Sequence, residues 1–120
     1  MTFRETLEEH LAAISARDIG RFAGTVSSDP EARVIAPDGG AIVGAEAIVE
    51  AHRDWFAGDA WTFSPRVALT RESDGLAFAL LDVAYVEAAG TGRFLLSLVF
   101  TREADGWRLF YDQNTPLPPV

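Results

Sequence analysis

Apolar residues recur at helical spacing in the first part of the chain and alternate with polar residues in the second part. Phe3, Leu7 and Leu11 fall on one face if this segment is helical. Thr2 followed by Glu5 fits a capping box, in which each side chain bonds to the backbone N–H of the other residue. The pattern therefore predicts a first helix that begins after Thr2.

Two further helices and two short strands are predicted before the longer strands begin. Asp18 is a typical N-cap residue, and a short helix is expected to follow it until residues 27–30 break it. Gly44 precedes a third helix, from about residue 45 to 57, whose apolar stripe starts at Ile48. Short strands are expected at 33–36 and 41–43, on either side of a turn that contains proline and glycine.

The remainder of the chain predicts four strands, at 61–71, 76–87, 93–102 and 107–114. Short segments that contain glycine separate them, which favours an antiparallel meander. Helices first and strands later indicate an α+β protein, in which three N-terminal helices pack on a mainly antiparallel sheet. Residues 1–120 are expected to form a single domain.

Both faces of the predicted sheet are rich in apolar residues. In the strand at 93–102, Phe94 and Leu96 point to one side, while Leu95 and Val99 point to the other. A sheet with one solvated face alternates more sharply than this. The helices can cover one face, and a second copy of the protein is the expected cover for the other. The sequence therefore predicts a homodimer through the sheet.

The composition narrows the function by exclusion. The chain has 10 basic and 18 acidic residues and a formal net charge of −8, which argues against binding to nucleic acid or to anionic membranes. Cysteine is absent and there are two histidines, so disulfides, thiolate chemistry and structural zinc are not expected. Neither a membrane-spanning segment nor a secretory signal is predicted, and the expected location is the cytoplasm.

Five short segments carry a family resemblance: 11–18 (LAAISARD), 34–39 (VIAPDG), 44–48 (GAEAI), 105–109 (DGWRL) and 112–115 (DQNT). Their order and spacing resemble the SnoaL-like and ketosteroid-isomerase-like proteins, which share the fold of nuclear transport factor two. The resemblance implies a conical α+β half-barrel with three helices on a curved sheet around an apolar pocket. It implies no single activity, because this fold hosts isomerases, dehydratases, hydrolases, cyclases and binding modules.

The steroid isomerases of that superfamily use three groups in the pocket. A tyrosine on the first helix and a protonated aspartate stabilise an oxyanion, and a second aspartate is the base. By motif, the tyrosine position matches His10. The base position matches Ala36, and the oxyanion aspartate matches Ser97 or Leu98. Because neither carboxylate is present, the isomerase arrangement is not expected here.

His10 and His52 are the side chains whose ordinary pKa lies near neutrality, and each lies on or beside the apolar stripe of its helix. In the resembled fold both helices face the pocket. Both histidines are therefore candidates for a general acid or base, or for a polar contact to a ligand. The alternative is a hydrogen-bonded histidine at the margin of the core.

Aromatic residues near the end of the third helix form a second candidate group. Trp55 and Trp61, together with Phe22, either line a pocket for an apolar or planar ligand or pack as ordinary core. Tyr85 is a further predicted ligand contact. Asp82 lies on the opposite face from Tyr85, where it either pairs with an arginine, across the dimer as one option, or has a raised pKa in a pocket.

The last strand ends in a polar cluster. If Leu109 points inward, strict alternation turns Tyr111 and Gln113 towards the pocket. Asp112 then faces the dimer side, where an arginine can pair with it. Tyr111 becomes a third catalytic candidate, as a donor to an oxyanion.

These patterns together predict a small-molecule protein whose pocket takes an apolar or aromatic compound. If it is an enzyme, the expected chemistry is acid–base catalysis without a cofactor or metal, of the isomerase, dehydratase or hydrolase type. The alternative is a non-catalytic ligand-binding or dimerising interaction module, which the missing carboxylates favour. The predicted ligand contacts are His10, Phe22, His52, Trp55, Trp61, Tyr85, Tyr111 and Gln113.

Overall fold

Three helices pack against a six-stranded sheet in the computed structural model, which describes residues 1–118. The sheet curves without closing, and its strand order is β2-β1-β6-β5-β4-β3. The predicted α+β class and conical half-barrel are confirmed. The elements are α1 (Phe3–Ala16), α2 (Ile19–Ala23), β1 (Arg33–Ile35), β2 (Ala41–Val43), α3 (Ala45–Phe56), β3 (Trp61–Glu72), β4 (Leu76–Glu87), β5 (Gly90–Glu103) and β6 (Gly106–Pro116).

The helices begin at the predicted caps. Thr2 Oγ1 accepts from the Glu5 N–H at 3.1 Å, and Glu5 Oε1 accepts from the Thr2 N–H at 2.9 Å, which completes the capping box of α1. Asp18 Oδ1 accepts from the Arg21 N–H at 3.1 Å and caps α2. Gly44 precedes α3 with φ of 91°, a conformation that glycine adopts without strain. None of the helices within residues 1–118 is long and apolar enough to cross a membrane.

The four long strands form the predicted antiparallel meander, and β1 adds a pairing that the pattern did not predict. β1 pairs with β6 in parallel, in the register Val34 opposite Asp112, and with β2 in antiparallel. Parallel neighbours need a long crossover connection. The chain between β1 and β6 includes α3 and four strands, so it supplies one.

Two β-bulges interrupt the regular alternation of side chains. Ala68 is the extra residue in β3, and Phe110 is the extra residue in β6, between Leu109 and Tyr111. A bulge bends its strand and increases the local twist. In β6 it also reverses the alternation, because Leu109 and Asp112, three positions apart, both face the helices.

The concave face of the sheet and the helices enclose the core. Large apolar side chains from both layers are excluded from solvent, which is the main stabilising contribution of the fold. Those that are almost fully buried are Leu7, Phe22, Ile48, Leu81, Val83, Leu98, Phe100 and Leu109.

The convex side of the sheet, called the outer face here, is not covered by any part of residues 1–118. Its exposed or half-buried apolar side chains are Leu69, Leu76, Phe78, Leu80, Val86, Leu95, Val99 and Tyr111. Asp82 also lies on this face, paired with Arg93 at 2.6 Å and with Arg66 at 3.2 Å. The hydrogen bond from Arg93, with the charges of both arginines, lowers the pKa of Asp82. Of the two predicted options for Asp82, the structure shows the arginine pair, and it forms within the chain.

Candidate functional site

A cavity of about 290 Å³ opens on the concave face, between α3 and the turn that joins β1 to β2. Most of its wall is apolar or aromatic, and none of its lining residues carries a permanent charge. Such a surface suits an uncharged small molecule. The lining residues are Val34, Ala36, Pro37, Ile42, Ala51, His52, Trp55, Tyr85, Phe94 and Asn114.

Three of the predicted ligand contacts, His52, Trp55 and Tyr85, line this cavity. Trp55 Nε1–H donates to the Tyr85 hydroxyl oxygen at 2.9 Å, which joins α3 to β4 across the wall. Trp61 stacks on Trp55 with ring centroids 4.3 Å apart, and its Nε1–H donates to the Trp55 carbonyl. Trp61 is buried and supports Trp55 without lining the cavity itself.

The end of α1 holds Trp61 in place. Arg17 has φ of 54° where α1 ends, and its guanidinium lies 4.4 Å from the Trp61 ring centroid. The same guanidinium donates to the carbonyls of Asp59 and Trp61. Cation–π stacking and these hydrogen bonds together connect α1 to the aromatic wall. The sequence pattern contains no signal for this contact.

His10 and Phe22 are part of the core behind the cavity. His10 is fully buried, and its Nδ1 lies 2.7 Å from Thr25 Oγ1, which itself donates to the Phe22 carbonyl. The threonine proton is used there, so His10 Nδ1 carries the ring proton and donates. The Phe22 ring packs against His10 and stacks on His52, with centroids 5.1 Å and 4.1 Å away. Burial lowers the pKa of His10 to about 3, so the ring is neutral at physiological pH.

His52 presents one ring nitrogen towards the cavity. Its Nδ1 lies 2.8 Å from the Ile48 carbonyl oxygen, an acceptor, so Nδ1 carries the proton and Nε2 has a free lone pair. Burial lowers the pKa of His52, and the hydrogen bond to Ile48 partly opposes this shift. His52 is therefore a neutral hydrogen-bond acceptor at neutral pH.

The prediction that Tyr111 and Gln113 point into the pocket is wrong. The bulge at Phe110 turns both residues to the outer face, where the Tyr111 hydroxyl donates to Gln113 Oε1 at 2.6 Å. Strict alternation from Leu109 requires an unbroken ladder between β5 and β6, and the bulge interrupts it. The run Leu109, Phe110, Tyr111 breaks the alternation of apolar and polar residues, and it was the available sign of a bulge.

The same bulge turns Asp112 and Asn114 inward. Asp112 is buried opposite Leu98, so the predicted position at the dimer side is wrong, and no arginine among residues 1–118 pairs with it. Asn114 Nδ2 donates to Asp112 Oδ1 at 3.0 Å and to the Ile35 carbonyl at 2.9 Å. Burial raises the pKa of Asp112 to about 7, against the opposing effect of the Asn114 hydrogen bond.

The positions matched to the isomerase carboxylates lie in different surroundings. Ala36 lines the cavity, as the base position should, but has no acidic group. Leu98 is the direct cross-strand neighbour of Asp112. Asp38 lies in the turn between β1 and β2, where its Oδ1 accepts from the Gly40 N–H at 2.9 Å. Asp112 does not line the cavity itself, but it accepts a hydrogen bond from Asn114, which does. Among residues 1–118, no group of three or more acidic or histidine side chains is placed to hold a metal ion.

Helices on an open, curved six-stranded sheet with a cavity on the concave face define the cone fold of the NTF2-like proteins. A profile of the SnoaL-like domain matches residues 4–115, and the chain belongs to this family. A search of curated protein sequences found no significant match.

Solved structures with low sequence identity share the fold. A candidate calcium/calmodulin-dependent protein kinase type II association domain from Thiobacillus denitrificans superposes with a TM-score of 0.85 at 21% identity, over 98% of this chain and 96% of that one. A candidate dehydratase of the NTF2-like family from Streptomyces avermitilis has a TM-score of 0.82 at 12% identity, over 97% and 94%. An uncharacterised protein with a cystatin-like fold from Caulobacter vibrioides has a TM-score of 0.80 at 21% identity, over 98% and 89%.

Proposed function

We propose that the cavity binds a small apolar or aromatic molecule and that the protein moves protons on it without a cofactor, in chemistry of the isomerase, dehydratase or hydrolase type. The observation that supports catalysis is Asp112, a buried carboxyl group with a pKa of about 7 beside the cavity residue Asn114. A group whose pKa matches the working pH both donates and accepts protons efficiently. Desolvation tunes carboxyl groups for this role in other enzymes.

Four polar side chains have distinct roles in this proposal. Asp112 is the proton carrier, and Asn114 positions it through the hydrogen bond to Oδ1. The Tyr85 hydroxyl already accepts from Trp55, so its own proton is free to stabilise an oxyanion on the ligand. His52 offers Nε2 as an acceptor for a ligand hydroxyl.

The binding half of the proposal is tested by filling the cavity. Ala51 lines the cavity on α3, and Ala51→Phe would occupy the space that a ligand needs. Ala47→Phe makes the same change at an exposed position of the same helix and serves as the control. Calorimetric titration with naphthalene should show binding to the wild type and to Ala47→Phe, and its loss in Ala51→Phe. Equal binding to both variants would exclude this cavity as the site.

The catalytic half is tested by proton exchange on an enolisable ring ketone. In deuterated water, removal of an α-proton from 2-tetralone to Asp112 and return of a deuteron would leave labelled ketone, which NMR detects. Asp112→Asn should abolish the exchange and preserve naphthalene binding, while Asp38→Asn, in the exposed turn, should leave it unchanged. The exchange rate should change near pH 7, since Asp112 has a pKa of about 7. Exchange that survives in Asp112→Asn would remove Asp112 from the mechanism.

The proposal includes a homodimer formed through the outer face, in the cytoplasm. Apolar residues dominate that face, and its acidic side chain Asp82 is already neutralised by Arg66 and Arg93 of the same chain. A second copy would remove the apolar surface from water without burying an unpaired carboxylate.

A non-catalytic ligand-binding or interaction module is the second candidate function. It is favoured by the absence of a carboxylate at Ala36 and Leu98, and by the positions of His10 and Tyr111 outside the cavity. This candidate would be supported if the wild type binds naphthalene but does not catalyse deuterium exchange on 2-tetralone.

A further inference from the structure

The hydrogen bonds behind the cavity wall determine which polar atoms remain for a ligand. Asn114 Nδ2 donates to the Ile35 carbonyl and to Asp112 Oδ1, so both of its hydrogens are used. Both partners are acceptors, which fixes the orientation of the amide. The polar atom that Asn114 leaves for the cavity is therefore its carbonyl oxygen, an acceptor.

His52 is an acceptor for a parallel reason. The Ile48 carbonyl holds the ring proton on Nδ1, at 2.8 Å, and this leaves the lone pair on Nε2. Two side chains from different elements, α3 and β6, thus both present lone pairs to the same cavity.

Tyr85 supplies a complementary donor. Its hydroxyl oxygen accepts from Trp55 Nε1–H at 2.9 Å, so the hydroxyl hydrogen is free. None of the residues that line the cavity is a lysine, arginine, aspartate or glutamate. The wall therefore offers acceptors and one hydroxyl donor, and it has no cation to balance an anionic ligand.

We propose that the ligand is an uncharged ring compound that carries a hydroxyl group, which donates to His52 Nε2 or Asn114 Oδ1 and accepts from Tyr85. Buried acceptors without a partner are costly, so a ligand lacking a donor should bind more weakly. A carboxylate should bind more weakly still, because its lone pairs face those of the wall and it loses its hydration. A cavity of about 150 Å³ holds benzene, so 290 Å³ suits about one or two fused rings.

Four ligands with the same ring system test this inference, which rests on the proposed binding function. They are 2-naphthol, 2-methoxynaphthalene, naphthalene and 2-naphthoate, titrated calorimetrically into the wild-type protein at neutral pH. We expect 2-naphthol to bind about tenfold more tightly than naphthalene or 2-methoxynaphthalene. We expect 2-naphthoate to bind most weakly. His52→Phe keeps a ring against Phe22 and removes one acceptor, so it should reduce the ratio of the 2-naphthol affinity to the naphthalene affinity.

The outcomes separate this inference from the function on which it rests. Equal affinity for 2-naphthol and 2-methoxynaphthalene, or tightest binding of 2-naphthoate, would overturn the hydroxyl-bearing class and leave binding of apolar rings intact. Absence of binding by all four ligands would overturn the binding function as well. An undiminished preference in His52→Phe would overturn the assignment of His52 as an acceptor.

Discussion

Two buried titratable side chains, Asp112 and His10, have pKa shifts in opposite directions for the same physical reason. Burial disfavours the charged form of any group, so it raises the pKa of an acid and lowers that of a base. Burial raises the pKa of Asp112 to about 7 and lowers the pKa of His10 to about 3. Each group is neutral in the folded protein at pH values where it is charged in the unfolded chain. The stability of the protein therefore depends on pH through both groups.

The wild type should lose stability as the pH rises from about 4 to 7, and Asp112→Asn should not show this loss. The ordinary pKa of the carboxyl group is 3.8, against about 7 in the folded state, so the native state holds the extra proton between these values. The contribution of Asp112 is complete below pH 3.8 and is lost as pH rises through 7. The wild type should lose up to about 1.4 kcal/mol per pH unit relative to Asp112→Asn in that window. Urea unfolding at a series of pH values measures the difference. Parallel curves for the two proteins would contradict the raised pKa.

His10→Asn should have the opposite dependence on pH. The ordinary pKa of histidine is 6.5, against about 3 for buried His10. Between these pH values the imidazole is protonated in the unfolded chain and neutral in the native state. Stability from this group is present above pH 6.5 and is lost as pH falls. Between about pH 6.5 and pH 5, the wild type should lose on the order of 2 kcal/mol relative to the variant.

Asparagine is chosen because its amide keeps a donor for Thr25 Oγ1. The slope of stability against pH is the measured quantity, because any cavity left by the smaller side chain adds a constant. A slope unchanged by the substitution would contradict the lowered pKa.

Local sequence signals predict the order and approximate bounds of the helices and strands. They do not predict which side chains of β6 face the core and which face outward. The helix caps at Thr2 and Asp18 depend only on residues close in sequence, and so do the turns that contain glycine. The sequence pattern therefore predicts them. The bulge at Phe110 depends on how β6 pairs with β5, which the residues of β6 alone do not determine. One extra residue turns Tyr111 and Gln113 to the outer face, and turns Asp112 into the core and Asn114 to the cavity. The parallel pairing of β1, which places Val34 beside Asp112, is likewise a property of the whole sheet.

The capping box gives a prediction for α1. Thr2→Ala removes the acceptor for the Glu5 N–H, so it should lower the free energy of unfolding by about 1 kcal/mol. Thr2→Ser retains the hydroxyl and should leave stability close to that of the wild type. Chemical denaturation followed by circular dichroism compares the three proteins. Equal losses in the alanine and serine variants would show that the hydroxyl does not stabilise the helix.

At the scale of the whole molecule, the sheet has two apolar faces and the described helices cover one. The concave face holds the core and the cavity, while the outer face leaves Leu76 and Val86 exposed. Association of two copies through the outer face would leave both cavities free, because cavity and outer face lie on opposite sides of the sheet. Ligand binding and dimer formation should therefore respond to different substitutions.

Val99→Glu should convert the proposed dimer into a folded monomer. Val99 lies half-buried near the middle of the outer face, opposite Phe78 on β4 and Tyr111 on β6. A carboxylate there stays solvated in a monomer but would be desolvated without a partner in a dimer. Light scattering coupled to size-exclusion chromatography gives the mass of each species.

Ala47→Glu is the control: it introduces the same charge at an exposed position on α3, away from the sheet, and should remain dimeric. Circular dichroism and naphthalene binding establish that the monomer is folded. A wild type that is monomeric, or a Val99→Glu protein that stays dimeric, would show that copies do not associate through this face.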